Sequence, residues 1–286
     1  MKLGIVGGSG LYAMPGLEGR WREVETPWGL PSDAVLDGEL EGLPVAFLPR
    51  HGRGHRLAPS ELPFRANVAA LKMLGCTAVL AVGAVGSFRE ELPPGHFVLP
   101  DQFVDETRGR PSSFFGDGIV AHVSLAEPVA HDLLDRVEAA ARAAGVPATR
   151  GGTYGCIEGP RFATRAESLA RRAAGWDVVG MTALPEAHLA REAELAYALV
   201  AMVTDFDAWA ESHVTTSAVV EVMAANRAKA QELVRATAAA LAANPLPVPS
   251  AQGWERALDG AIITARACWP EATRQRLLPI AGRVLA

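Results

Sequence analysis

The stretch "VGMTALPEAHLAREAELAYALVAMVTDFDAW", residues 179–209, contains the pattern from which the fold class can be inferred. A short apolar run ends at Gly180 and leads into a helical pattern. A longer apolar run follows and ends in two acids, Asp205 and Asp207. A continuous apolar run of this kind is typical of a strand that is buried on both faces of a parallel sheet. Two carboxylates at the end of such a strand therefore need an explanation other than solubility.

The rest of the chain repeats this alternation of strand and helix. The other candidate strands are residues 3–8, 45–49 and 77–87, and the long run above covers 193–205. The candidate helices are residues 60–74, 128–144, 165–174 and the Ala-rich 216–243. Strands that alternate with helices predict an α/β fold with a largely parallel, buried sheet.

A proline-rich segment, "NPLPVPS" at residues 244–250, separates the last part of the chain from this pattern. Two short helical patterns follow it, at 253–269 and 271–286. This tail is too short for a domain of its own. We therefore expect a main domain of residues 1–243 and a tail of residues 244–286 that packs on the same domain or on a neighbouring subunit.

Composition excludes several classes of function. The 286 residues are 49% hydrophobic and carry a net charge of -5, which predicts a globular protein without the basic surface of a nucleic-acid binder. The sequence contains no secretory pattern and no apolar run long enough for a membrane span. Cys76, Cys156 and Cys268 are far apart and not in metal-binding spacing, which is typical of reduced thiols in a cytoplasm. We expect a cytoplasmic protein that binds neither a membrane nor nucleic acid.

Ligands of open α/β sheets bind beyond the carboxyl ends of the strands, so those positions are the first candidates for a site. The first strand ends in "GGSG", residues 7–10, where glycines allow a close approach to an anion and Ser9 adds a hydroxyl. The spacing fits neither a dinucleotide fingerprint nor a triphosphate loop, and a plain glycine turn explains it equally well.

The second candidate is "FLPRHGRGHR", residues 47–56, in which Arg50 and His51 directly follow an apolar strand. Arginine suits a bidentate contact to phosphate oxygens, and an imidazole can donate one more hydrogen bond. The alternative is a solvated basic loop, which is the usual explanation for a run of charges.

Two further strand ends are weaker candidates. Residues 81–91 leave a strand through small residues, so backbone N–H groups near Gly83 and Ala84 are available to an anion or a sugar. Residues 154–168 combine a strand, the segment "EGPRF" and a capped helix. Phe162 can offer a flat face to an aromatic ligand, although an isolated phenylalanine is more often a core residue.

The acids at the end of the long strand complete the set. A carboxylate buried at a strand end has a raised pKa unless it is paired, so it can hold a proton for a leaving group. Asp205 and Asp207, two positions apart in an extended segment, would point the same way. Such a pair suits the N7 and 6-amino edge of adenine. The alternative is a pair of acids on an ordinary surface loop.

The chain resembles the purine nucleoside phosphorylase superfamily, and within it the branch of 5'-methylthioadenosine phosphorylases. The resemblance spans about residues 2–240 and rests on these segments in series: "IVGGSG", "TPWGLPSD", "RHGRGH", "FRANVAALK", "GSFREELPPG", "DQFVDET", "EGPRFATRAES", "GMTALPEA" and "VTDFDAW". It implies a single α/β domain with a central mixed, partly barrel-like β-sheet flanked by helices. It also implies that orthophosphate attacks C1' of the nucleoside without a metal or organic cofactor. Family members are commonly homotrimers, with a hexamer left open here.

The resemblance also assigns roles to individual residues. Around phosphate it places Ser9, Arg50, His51, Thr182 and the backbone of Ala84. Around the ribose and base it places Met181 under the ribose, Phe162 against the base, Asp205 at N7 and Asp207 at the 6-amino group. Around the 5' substituent it places Val219, Val222, Met223 and, from a neighbouring subunit, His122.

The chain departs from the family pattern at three places. Gly83 stands where eukaryotic members usually have a phosphate-binding threonine, and Ala163 replaces a common serine beside Phe162. Residues beyond Asn244 do not match the family pattern.

Asp205 favours a 6-aminopurine, because members that act on 6-oxopurines carry asparagine there. Methylthioinosine, other 5'-deoxyadenosines including halogenated ones, hydrolysis by water, and a non-catalytic nucleoside-binding module stay open as alternatives.

Overall fold

The computed structural model describes residues 1–8, 11, 14–210 and 215–286. Ser9, which the sequence places in the phosphate site, lies outside the described residues.

Eleven strands and six α-helices occur in the described part of the chain. The strands are β1 Leu3–Gly7, β2 Glu18–Arg22, β3 Val35–Leu40, β4 Leu43–Pro49, β5 Ala78–Ser87, β6 Phe97–Leu99, β7 Gln102–Glu106, β8 Ala148–Arg150, β9 Thr153–Ile157, β10 Val178–Gly180 and β11 Ala196–Asp205. The helices are α1 Phe64–Met73, α2 His131–Ala143, α3 Arg165–Ala173, α4 Glu186–Glu192, α5 Thr216–Ala243 and α6 Glu271–Leu285. The strands predicted over residues 3–8, 45–49, 77–87 and 193–205 correspond to β1, β4, β5 and β11, and the strand predicted before "EGPRF" corresponds to β9. The helices predicted over residues 60–74, 128–144, 165–174, 216–243 and 271–286 correspond to α1, α2, α3, α5 and α6.

All eleven strands belong to one mixed sheet that branches at β5. One path runs β2-β3-β4-β1-β5-β11-β6-β8, and a second branch, β10-β9-β7, joins the last two residues of β5. β1, β5 and β11 are parallel neighbours in the middle, and they are almost wholly buried, which explains their continuous apolar sequences. The sheet with its flanking helices confirms the predicted α/β class. The sequence did not predict β2, because all five of its residues are exposed and polar residues predominate.

The parallel strands deliver their carboxyl ends to one edge of the sheet. Gly7 of β1 pairs with Pro49 of β4 on one side and with Val82 of β5 on the other. Arg50, the residue after β4, therefore lies beside the end of β1 and near the middle of β5. This edge is where the sequence predicts the ligand site.

The tail folds back on the body of the same chain. On α6, the side chains of Leu277, Ile280 and Leu285 are part of the main hydrophobic core, and α6 contacts α1. The predicted helix over residues 253–269 is wrong, because that segment contains only the short 3-10 turns Trp254–Arg256 and Arg266–Cys268. Gly260 adopts a left-handed φ of 70° between them, which interrupts a right-handed helix.

None of the helices in the described residues combines the length and the apolar character that crossing a membrane requires.

Candidate active site

A cavity of about 290 Å³ opens at the carboxyl edge of the sheet. The ends of β1, β4, β5, β10 and β11 surround it, and α5 forms one wall. Ten of the predicted site residues line it: Arg50, His51, Ala84, Phe162, Met181, Thr182, Asp205, Asp207, Val219 and Met223. Five separate strand ends therefore contribute to one site.

Arg50 is held by a buried partner that no pattern in the sequence predicted. Its Nε and Nη2 atoms each lie 3.0 Å from a carboxylate oxygen of Glu186, and both side chains are only 1% exposed. Glu186 is the first residue of α4, where an acidic residue is ordinary because it favours the helix N-terminus. Because this explanation was sufficient, nothing in the sequence predicted that Glu186, the glutamate of "GMTALPEA", pairs with Arg50. Tyr197 donates a further hydrogen bond to Glu186, at 3.0 Å.

These contacts leave Arg50 with little freedom. Nη1 donates to the carbonyl oxygen of Val82 at 2.9 Å, and Nη2 lies 3.4 Å from that of Val6. Burial alone would lower the pKa of the guanidinium, but the charge and hydrogen bonds of Glu186 raise it overall. Four of the five N–H groups are thus engaged by described residues, and the second hydrogen of Nη1 can be given to a ligand.

The remaining N–H of Arg50 and the hydroxyl of Thr182 face the same space. A Cβ atom on Gly83 would lie 3.7 Å from Arg50 Nη1 and 3.7 Å from Thr182 Oγ1. Gly83 therefore forms the floor between two hydrogen-bond donors. Such a floor is a suitable seat for a tetrahedral oxyanion.

His51 borders the same seat, but its hydrogen bonding differs from the expected one. Nδ1 lies 2.9 Å from the carbonyl oxygen of Leu57, and a carbonyl can only accept, so Nδ1 carries the proton. Burial, together with the charges of Arg50 and His55, lowers the pKa of His51 to about 4. With the pKa lowered in this way and the N–H of Nδ1 engaged by Leu57, no second N–H of the ring is available to an anion, and the predicted role of His51 in phosphate binding stays a prediction.

At the opposite end of the cavity, a β-bulge aims Asp205. Val203 pairs with Val85 and Asp205 pairs with Gly86, so Thr204 is the extra residue in β11. Thr204 Oγ1 lies 2.7 Å from Asp205 Oδ1, and the backbone N–H of Asp207 donates to Oδ2 at 3.0 Å. Burial raises the pKa of Asp205 more than these two hydrogen bonds lower it. The prediction of a raised pKa is confirmed.

The extended segment predicted through both acids is wrong. The chain turns after Asp205, and Asp207 begins a 3-10 turn with a left-handed φ of 48°. Both carboxylates still line the cavity because Gly86 lacks a side chain: a Cβ there would lie 3.0 Å from Asp205 Oδ2 and 3.2 Å from Asp207 Cβ. Asp207 Oδ2 is sealed from solvent and has no hydrogen-bond partner in the described residues. A ligand that donates a hydrogen would satisfy it.

The apolar walls lie between and beside these polar ends. Met181 fits against Gly159, where a Cβ would lie only 2.4 Å from its Sδ atom. Phe162 is 40% exposed at the cavity wall. On α5, Val219 and Met223 are one turn apart, and Arg227 and Ala230, which the sequence did not predict as site residues, continue the same face.

Two predicted residues lie outside this cavity in the single chain. Val222 is half-buried but is not part of the cavity wall, because the face that α5 presents follows residues 219, 223 and 227. His122 is exposed, and its backbone N–H bonds to the carbonyl of Ala261. Its predicted role requires a second chain and stays a prediction.

No group of three or more histidine, cysteine, aspartate or glutamate side chains is placed to hold a metal ion among the residues that the structure covers.

Known proteins resemble this chain in sequence and in structure. The family model described as the phosphorylase superfamily matches residues 2–239. The S-methyl-5'-thioadenosine phosphorylase of Rhodospirillum rubrum is 54% identical over 286 residues, which cover 99% of this chain and 97% of that protein. The enzyme of the same name from Bradyrhizobium diazoefficiens is 52% identical, with 99% and 98% covered.

Solved structures of methylthioadenosine phosphorylases also resemble this chain. A methylthioadenosine phosphorylase from an antarctic soil metagenomic library superposes with a TM-score of 0.92 at 44% identity, covering 97% of this chain and 98% of that one. The methylthioadenosine phosphorylase of Schistosoma mansoni in complex with adenine gives 0.81 at 40% identity, covering 85% and 92%.

These similarities extend beyond the family model. Because the Rhodospirillum rubrum relative covers 99% of this chain, the expectation that the tail has no counterpart in the family is wrong. The family model covers most of the chain, and relatives share about half of its residues over nearly its full length. The chain therefore belongs to the phosphorylase superfamily.

Proposed function

We propose that this protein catalyses the phosphate-dependent cleavage of the N-glycosidic bond of 5'-methylthioadenosine, giving adenine and 5-methylthioribose 1-phosphate. The observation that carries this proposal is the presence of two chemically opposite polar ends in one cavity. One end offers hydrogen-bond donors, Arg50 and Thr182, and the other offers the carboxyl groups of Asp205 and Asp207. The names of the relatives support the same activity.

The chemistry follows from this placement. An oxygen of phosphate forms a bond to C1' while the bond from C1' to N9 breaks, and the electron pair of that bond moves into the purine. Arg50 and Thr182, with the backbone of Ala84, hold the phosphate, whose negative charge stabilises the positive charge that develops on the ribose. Asp205 transfers or shares its proton with N7, so that adenine leaves as a neutral molecule.

The carboxyl groups favour a 6-aminopurine over a 6-oxopurine. Asp207 Oδ2 is a buried acceptor without a partner in the described chain, and the 6-amino group supplies the donor that it needs. A 6-oxo group would place lone pairs against lone pairs. Met181 lies under the ribose in this arrangement, and Phe162 contacts the base.

The apolar wall of Val219 and Met223 fits the methylthio group, with Val222 and the neighbouring subunit's contribution as further predicted parts of that pocket. Other 5'-deoxyadenosines fit the same wall, because a difference of one methyl-sized group in an apolar pocket is worth only about 1–3 kcal/mol.

As part of this function, orthophosphate is a co-substrate, no other cofactor takes part, and the enzyme acts as a cytoplasmic homotrimer in purine salvage. Support for a subunit contact comes from Val120 and Ile263, which are 41% and 64% exposed on either side of the Ala121–Ile262 bridge. His122 stands in this same segment. Sedimentation velocity measures the assembly, and a monomer would contradict the predicted role of His122.

A substrate panel tests the reaction. Base release from methylthioadenosine, methylthioinosine, adenosine and inosine is followed with and without orthophosphate. We expect the fastest release from methylthioadenosine, and only with phosphate. Release that does not depend on phosphate would instead identify a hydrolase, and binding without release would identify a nucleoside-binding protein.

A further inference from the structure

The hydrogen-bonding state of His51 bears on which anion the seat accepts. In a neutral imidazole one nitrogen carries the proton and the other presents a lone pair. The 2.9 Å contact from Nδ1 to the carbonyl of Leu57 assigns the proton to Nδ1. Nε2 is therefore an acceptor, and in the described chain it has no hydrogen-bond partner and is not among the atoms sealed from solvent.

The ring has little freedom to change this state. His51 is 8% exposed, and the ring of His55 stacks on it with centroids 4.3 Å apart and planes 11° apart. Protonation of Nε2 would place a second cation beside Arg50 in a buried position. The fixed carbonyl of Leu57 also prevents the exchange of tautomers, because a bare Nδ1 would face its oxygen.

Charge alone gives this seat little selectivity. Arg50 is paired with the buried Glu186, so the two side chains together carry no net charge. Selection among tetrahedral oxyanions then depends on the pattern of donors and acceptors. The Arg50 and Thr182 donors suit any oxyanion, whereas the lone pair of His51 suits only one that carries a hydrogen.

We propose that His51 accepts a hydrogen bond from a protonated oxygen of the bound anion, so that the site selects oxyanions that carry a proton at neutral pH over those that do not. Phosphate and arsenate belong to the first class, and sulfate and selenate to the second. The inference rests on the proposed function, since it assigns the seat beside Arg50 to phosphate.

Wild-type protein provides the first test. Calorimetric titration with the sodium salts compares phosphate with sulfate and arsenate with selenate. The two anions of each pair are similar in size and shape, but only phosphate and arsenate carry a proton at neutral pH. We expect phosphate and arsenate to bind roughly 10- to 100-fold more tightly than sulfate and selenate, because a lone pair facing an unprotonated oxygen is left unpaired. Equal binding of all four anions would overturn the proposal. Because binding is measured without turnover, this result is separate from the phosphate dependence of base release.

A pair of variants assigns the selectivity to a residue. In His51→Gln the side-chain amide can rotate to donate, so sulfate should gain on phosphate and the ratio of their dissociation constants should approach one. In Thr182→Val a donor common to all oxyanions is lost, so both anions should weaken and the ratio should stay as in wild type. A ratio that survives in His51→Gln would show that the selectivity arises elsewhere. If His51→Gln fails to fold, the wild-type comparison still decides whether selection exists, and a His51→Asn variant repeats the assignment.

Discussion

The cavity has two polar ends: an anion end, at Arg50 and Thr182, and a purine end, at Asp205 and Asp207. They differ in how their buried ionisable groups are paired. At the anion end, the guanidinium of Arg50 is fully paired: Glu186 holds it through two 3.0 Å contacts, and Tyr197 holds Glu186 in turn. At the purine end, two carboxyl groups lie close together without a cation among their hydrogen-bond partners in the described chain, and Asp207 Oδ2 has no such partner of any kind there.

This contrast indicates that the anion end is suited to binding a ligand in a fixed position and the purine end to transferring a proton. A fully paired cation keeps a fixed position and a fixed charge, so it presents the same donor to each phosphate that arrives. Burial raises the pKa of Asp205, and the neighbouring carboxylate of Asp207 raises it further, so Asp205 holds a proton more readily than an exposed aspartate. In the proposed function, the rigid cation therefore lies on one side of the ribose and the transferable proton on the other.

The strongest response is expected from removing the proton at the purine end. Asp205→Asn should lower kcat/KM for methylthioadenosine by about 10²–10⁴, the range typical of general acid catalysis. The same variant should lose less activity on methylthioinosine, because an amide can donate to a 6-oxo group. Steady-state kinetics on both substrates measures this shift. Equal losses on the two purines would contradict the assigned role of Asp205.

Breaking the pair at the anion end should destabilise the fold. Glu186→Ala leaves Arg50 as an uncompensated buried charge, which typically costs about 3–5 kcal/mol in the free energy of unfolding. As a control, Glu138→Ala breaks the partly exposed contacts to Arg142 and Arg150 and should cost about 1 kcal/mol or less. Urea denaturation measures both. A similar cost for the two variants would show that the Arg50–Glu186 pair contributes no more than a surface pair.

The neutral state of His51 predicts a dependence of stability on pH. The pKa of His51 is lowered from 6.5 to about 4 in the folded protein, so the unfolded chain binds the proton first as pH falls. The contribution of His51 to the free energy of unfolding is therefore fully present above pH 6.5. This contribution, about 3 kcal/mol, is lost as the pH falls from 6.5 to about 4. Unfolding free energies of wild type and His51→Gln at pH 7 and 4.5 check this. The variant should lose less stability between the two values, and an unchanged loss would assign it to other groups.

The weakest response is expected at Gly83, on the floor of the anion seat. The distances of 3.7 Å that a Cβ there would make to Arg50 Nη1 and Thr182 Oγ1 are ordinary van der Waals contacts, so an added Cβ atom fits. Gly83→Thr adds a hydroxyl donor and should lower the KM for phosphate by about 5-fold, which corresponds to about 1 kcal/mol for one hydrogen bond. Gly83→Ala controls for the added methyl group. If Gly83→Ala lowers this KM equally, the hydroxyl is not the cause.

Long, regular patterns in the sequence were sufficient to predict the frame of the molecule. The run of 28 residues in α5 was predicted with the bounds that the structure shows, because Ala-rich helical spacing continues from the Thr215 cap to Asn244. β1, β5 and β11 were predicted because burial on both faces requires uninterrupted apolar residues. Short strands such as β2 and β8 left no such pattern, and the tail turns depend on glycine conformations that local propensity does not reveal.

Local patterns and the resemblance to a known family were thus enough for the α/β class, the central strands and ten of the residues that line the cavity, because burial and strand-end chemistry leave signatures in short runs of residues. How those residues act depends on the folded arrangement. The Glu186 contact to Arg50 joins positions 136 residues apart, the Leu57 carbonyl sets the tautomer of His51, and the bulge at Thr204 with the turn at Asp207 aims the two acids. Hydrogen-bond partners and left-handed turns depend on which atoms the fold brings within about 3 Å of each other, and no local run of residues encodes that distance.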